Sequence, residues 1–176
     1  MLIAPSFLGL HGSAHAIELE RRFGLGPGFG TSNPAGWSAN ARANYFFSNA
    51  FGLEGSCHHI QYSNSSTLTD AYSLNLLIRL FGGARFTPVL GLGAGYASTS
   101  KHSDPKFDFS GGMAAFKLGF DLALTESVVV GMNAKYDAVF ANGSGQSAAH
   151  RLLPQIDITF FFEGQNKITL ITRSPP

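Results

Sequence analysis

Two groups of residues in this chain have types and spacing that could do chemistry. The first lies in CHHIQYSN, where His58 and His59 precede Ser63 and Asn64. A histidine within reach of a serine hydroxyl is the core of acyl transfer, with a carboxylate to orient the imidazole. His59 reaches Ser63 only with the help of a bulge in the intervening chain. The second group is Arg42, Glu54, Arg79, Lys117, Asp121, Lys135, Asp137 and Asp157, charges of both signs set singly among apolar and small residues. Brought together in a confined interior, such charges form either a gated ion path or a paired structural plug. Left unpaired they would cost several kcal/mol each.

What positions these charges is clearest in Phe116 to Phe140, FKLGFDLALTESVVVGMNAKYDAVF. Alternate residues give Phe116, Leu118, Phe120, Leu122 and Leu124, then Val128, Val130, Met132, Ala134, Tyr136, Ala138 and Phe140. The interleaved set includes Lys117, Gly119 and Asp121, then Gly131, Asn133, Lys135 and Asp137. A period of two sustained this long predicts two β-strands, and Thr125-Glu126-Ser127 is short enough for the hairpin turn between them. The apolar face is large and carries aromatics at the strand ends, while glycine thins the polar face. That division suits a narrow barrel whose apolar side faces lipid and whose charges point inward.

Composition agrees. The 176 residues fit one domain, only 13% are charged, and there are 21 glycines and 16 phenylalanines. No run of about 18 apolar residues offers a spanning helix. A net charge of +1 provides no basic field for nucleic acid. The single cysteine, Cys57, excludes an internal disulfide. His102, His150 and the His58-His59 pair lack the spacing of a metal site, and no cofactor is expected.

In chain order, residues 1–16 read as an export signal, apolar at MLIAPSFLGL and ending in the small-x-small triplet Ala14-His15-Ala16. The barrel is expected over 17–162. Its first strand runs Ile17 to about Gly30, with Leu19, Phe23, Leu25 and Phe29 on one face. The turn TSNPAG leads to a second strand, Trp37 to Phe47, with aromatics at both ends and alanines between. Strand three, Phe51 to Tyr62, alternates poorly, because Cys57, His59 and Gln61 share the face begun by Phe51 and Leu53; a bulge that swaps faces is expected. Strand four covers Ala71 to Phe81, strand five Thr87 to Thr99, and strands six and seven form the hairpin above. Strand eight runs about Arg151 to Phe162, and 163–176 read as a short periplasmic tail. Connections after strands two, four and six are tight, and the others are longer or more polar. This assigns the tight turns and both termini to the periplasm. The fold class is therefore all-β, an eight-stranded antiparallel up-and-down transmembrane β-barrel.

TPVLGLGAGY at Thr87 to Tyr96, the hairpin FKLGFDLALTESVVVGMNAKY and the strand end DITFFF together resemble the small outer-membrane barrels of Gram-negative bacteria, the OmpA-like and opacity-protein group. The resemblance implies outer-membrane location, contact with outer-membrane lipid and lipopolysaccharide, a monomer, and a structural, adhesion or recognition role without enzymatic activity. It also implies recognition by barrel-assembly machinery through Phe162, although fourteen residues follow it here. Any specific function is expected in outer loops near Asn33, Ser65, Asp104 and Ser144. Lipid A deacylases are eight-stranded outer-membrane barrels as well, with a His-x-Ser-Asn stretch. Here QYSN has Gln61 where the histidine should stand. A soluble lipocalin-like barrel, with the apolar face turned inward, is the third reading.

Overall fold

The computed structural model describes residues 18–33, 35–63, 67–100, 110–141 and 149–162. The expected export signal, the tail and the loop positions Ser65, Asp104 and Ser144 lie outside them. The strands are β1 (Arg22–Ser32), β2 (Gly36–Phe46), β3 (Phe51–Tyr62), β4 (Leu68–Arg79), β5 (Phe86–Thr99), β6 (Gly111–Ala123), β7 (Val128–Ala141) and β8 (Ala149–Phe162). Each pairs antiparallel with its neighbour in sequence, and β8 returns to β1, closing the sheet. Closure leaves no free strand edge, so every backbone ladder can be satisfied within the wall.

The faces follow the pleat. Leu92, Leu118, Met132, Ile156 and Phe160 stand on the outer surface, each between 47% and 61% exposed. Arg79, Lys135, Asp137, Arg151 and Asp157 are no more than 2% exposed. A water-soluble barrel would have these sets exchanged, so the lipocalin-like reading is overturned.

Four local expectations are corrected. The first strand starts at Arg22 instead of Ile17, and Leu19 sits inside the barrel mouth, fully buried. A turn places it there: Arg22 N–H donates to the Leu19 carbonyl at 3.0 Å, Arg21 adopts a φ of 59°, and Leu19 N–H donates to Asn49 Oδ1 at 2.8 Å. Strand three has no bulge. Its pairing with β2 runs unbroken from Gly36↔Tyr62 to Phe46↔Gly52, and with β4 from Phe51↔Ile78 to Gln61↔Leu68. The weak alternation arises because Cys57, His59 and Gln61 genuinely face outward. Strand four begins at Leu68, which brings Asp70 into the wall, and Phe81 falls in the following turn, 63% exposed. Finally, the connection after β1 is residues 33–35, shorter than the tight turn 47–50. Asn33 extends the seam by bridging to Leu152, so loop length alternates clearly only from β5 onward.

Candidate functional site

Strand parity brings the charges into the lumen, and strand register decides their partners. Arg42 on β2 is the central cation. Its Nη1 lies 2.6 Å from Asp157 Oδ2 on β8 and 3.6 Å from Glu54 Oε2 on β3, and its Nη2 donates to Thr159 Oγ1 at 2.5 Å. Lys117 Nζ, from β6, reaches the same Glu54 oxygen at 2.6 Å, and Asn75 Nδ2 donates to Glu54 Oε1 at 3.4 Å. Asn133 donates to Asp157 and accepts from Gln155 Nε2 at 2.6 Å, while Asn40 Nδ2 donates to Gln155 Oε1 at 2.8 Å. Side chains from four strands, β2, β4, β6 and β7, thus converge on two carboxylates.

Toward the loop end a second group forms around Asp137 of β7. Arg151 donates to its Oδ2 from Nε at 3.0 Å and Nη2 at 2.9 Å, and Lys135 Nζ lies 3.5 Å from Oδ1. Lys135 also donates to Ser73 Oγ at 2.8 Å, which meets Ser56 Oγ at 2.8 Å. Toward the tight turns Arg79 stands 3.8 Å from Asp121 and over the Phe46 ring at 5.6 Å.

Room for these side chains comes from glycine. A Cβ at Gly28 would meet Asp157 Oδ1 at 2.5 Å and Asn40 Nδ2 at 2.6 Å, and one at Gly131 would meet Asp157 Oδ2 at 3.1 Å and Asp121 Oδ1 at 3.2 Å. The charged layer is capped by apolar ones. Leu19, Phe46, Leu77, Val89, Ala123, Val129 and Phe161 cluster at the tight-turn end. At the loop end Ile60, Tyr62 and Leu153 form one cluster and Ala71, Ala97, Met113 and Val139 another. The space between Arg42, Glu54, Lys117 and Asp121 amounts to about 10 Å³, room for about one water.

Arg151 joins the interior set beyond the eight charges expected there: continuing the alternation Asp157, Gln155, Leu153 by two residues reaches it, while its partner Asp137 is set by the register of β7 on β8. The two histidines separate to opposite faces of β3. His58 faces the lumen, 1% exposed, with Nε2 3.2 Å from Ser56 Oγ. His59 faces outward, with Nδ1 2.8 Å from Asp70 Oδ1. Ser63 stands beyond the end of β3, its N–H donating to the Ala35 carbonyl at 3.0 Å. No hydrogen bond joins it to either histidine among the described residues, so Ser63 and His59 form no nucleophile and base pair in this arrangement. Among the described residues no cluster of His, Cys, Asp or Glu has the form of a metal site.

A closed antiparallel sheet with an apolar exterior and a charged, glycine-lined interior is a transmembrane β-barrel. The chain belongs to the outer membrane protein beta-barrel domain family, whose model matches residues 2–149, and its place is the outer membrane of a Gram-negative bacterium. A search of curated proteins finds no match. Among solved structures the chain is similar to Neisserial surface protein A, at 12% identity and a TM-score of 0.60, covering 80% of this chain and 95% of that one. It is similar to the N-terminal β-barrel domain of Pseudomonas aeruginosa OprF, at 11% identity and 0.63, covering 81% and 98%. The outer membrane enzyme PagL matches at 10% identity and 0.54, covering 78% and 98%. At these identities the likeness is one of fold.

Proposed function

We propose that this protein is a non-enzymatic, closed outer-membrane barrel, anchored by its apolar wall and acting in envelope integrity, adhesion or surface recognition through its outer loops. One observation carries the reading: the interior holds paired charges between two apolar layers, an arrangement that consumes the lumen instead of lining a path. Arg42, Glu54, Arg79, Lys117, Asp121, Lys135, Asp137 and Asp157 act together as a plug, and the tight turns face the periplasm. The chain works as a monomer, delivered by barrel-assembly machinery and seated in lipid that includes lipopolysaccharide. Its N-terminal residues 1–16 serve export, and 163–176 form a periplasmic tail.

The deacylase reading lacks its nucleophile and base geometry, since His59 is held by Asp70 and Ser63 stands apart. The experiment is refolding in detergent micelles with lipid A, reading both gel migration with and without boiling and ester hydrolysis. A boiling-dependent shift without hydrolysis supports the proposal. Hydrolysis that is abolished by Ser63→Ala would replace it with an esterase.

A further inference from the structure

The paired charges leave one space in the lumen, the cavity of about 10 Å³ among Arg42, Asn44, Glu54, Lys117 and Asp121. Two atoms on its lining residues have no hydrogen-bond partner: Arg42 Nε, a donor, and Asn44 Oδ1, an acceptor. Those residues are 6% and 4% exposed, and a buried polar atom left unpaired is costly. Asp121 adds a third. Among the described residues its carboxylate makes no hydrogen bond, because Arg79 Nε stands 3.8 Å away, beyond reach. Glu54, by contrast, is already taken up by Lys117 and Asn75.

Size and charge together define what this space accepts. It has room for about one water. The ionic residues on its wall balance, Arg42 and Lys117 against Glu54 and Asp121. An anion would face two carboxylates and a cation would face two nitrogen cations, whereas a neutral molecule with two donors and an acceptor matches the three open groups. Three hydrogen bonds are also what a buried water commonly makes.

The tight-turn side of the cavity has a cover. Phe46, Leu77, Val89, Val129 and Phe161 line it there, and all five belong to the apolar cluster that also holds Leu19. Leu19 joins the cluster without lining the cavity, so the cluster lies between them. The turn that carries Leu19 is clasped, since Leu19 N–H and Glu20 N–H both donate to Asn49 Oδ1, at 2.8 and 3.2 Å. Arg21 N–H donates to the carbonyl of Phe46, itself a lining residue, at 2.6 Å.

We propose that this cavity binds a single water molecule, which donates to Asn44 Oδ1 and to the Asp121 carboxylate and accepts from Arg42 Nε, and that the Leu19 turn is its lid. The inference rests on the reading of the lumen as a plug and adds to it: the plug is completed by a bound solvent molecule that exchanges from the tight-turn side.

The test uses the isotope-labelled protein refolded in detergent micelles and read by NMR at Arg42 Nε–H. Wild type should show a direct cross-peak between this hydrogen and water, of the sign that marks a bound molecule. Asn44→Leu, which fills the space and removes the acceptor, should lose the cross-peak while keeping the boiling-dependent gel shift. Asn49→Ala and Leu19→Gly, both outside the cavity, should keep the cross-peak and speed solvent exchange at Arg42 Nε–H by about tenfold, as local opening does. Met132→Leu on the outer wall should change neither. No cross-peak in the wild type, a cross-peak that survives Asn44→Leu, one displaced by excess ammonium chloride as at a cation site, or exchange indifferent to Leu19→Gly would each overturn the inference. Steady currents through the wild type would instead defeat the plug reading, so the two failures are distinguishable.

Discussion

Asp157 is fully buried and accepts from Arg42 of β2 and Asn133 of β7. Truncating it strands the Arg42 guanidinium, which retains Glu54 only at 3.6 Å. Removing one partner of a buried ion pair costs about 3–5 kcal/mol, so Asp157→Ala should lower the unfolding free energy in bilayers by that order, read by urea titration. The double replacement Arg42→Met with Asp157→Leu should cost less than Asp157→Ala alone, because no charge is left uncompensated; a double variant weaker than the single one contradicts the pairing. Which face each of these residues occupies is set by its own strand and follows from parity. Which residue it meets is set by register between strands, and that is why the His59–Asp70 contact and the role of Arg151 escaped the sequence. Cys57, His59 and Gln61 invited a bulge for the same reason: a polar stretch on a lipid face contradicts the pattern that parity otherwise establishes.

At the scale of strands, the wall makes depth-dependent demands. Leu118 is central in β6 and 50% exposed, whereas Leu122 lies one residue before the strand ends and is 40% exposed. Arginine on a lipid face costs about 2–4 kcal/mol at midplane and about 0–1 near the interface. Leu118→Arg should therefore destabilise the inserted barrel by the larger amount and Leu122→Arg by the smaller, compared by denaturant titration in vesicles; equal effects would contradict the placement of β6 across the bilayer. The β1–β8 seam is the other sensitive element. Its pairing skips Gly26 and Pro27, since proline offers no N–H to the ladder, and a Cβ at Gly26 would strike the Ile158 carbonyl. Backbone there has no easy way to yield. Gly26→Ala should reduce the closed, boiling-sensitive gel band, with full closure arguing against so tight a seam. Eight strands and their antiparallel order were legible because turn residues and alternation recur along the whole chain. The ends of β1 and β4 were not, because Leu19 and Leu80 continue the apolar rhythm while the backbone has already turned away.

For the whole molecule, the barrel divides its chemistry by layer: apolar outside, charged at the centre of the lumen, and apolar again at both mouths. Eight strands enclose just enough space for side chains to fill, and here Arg42, Lys117, Glu54 and Asp157 occupy the middle while Leu19, Phe46 and Phe161 close the tight-turn end. The central claim is that this interior is a closed support for the wall and its outer loops. It is tested most directly by conductance of the refolded protein in a planar bilayer. Wild type should show no stable open level, and Leu19→Gly, which removes one stopper but leaves the charged layer, should remain closed. Steady ion-selective currents from the wild type would contradict the account, because they would make the charge network the lining of a pore.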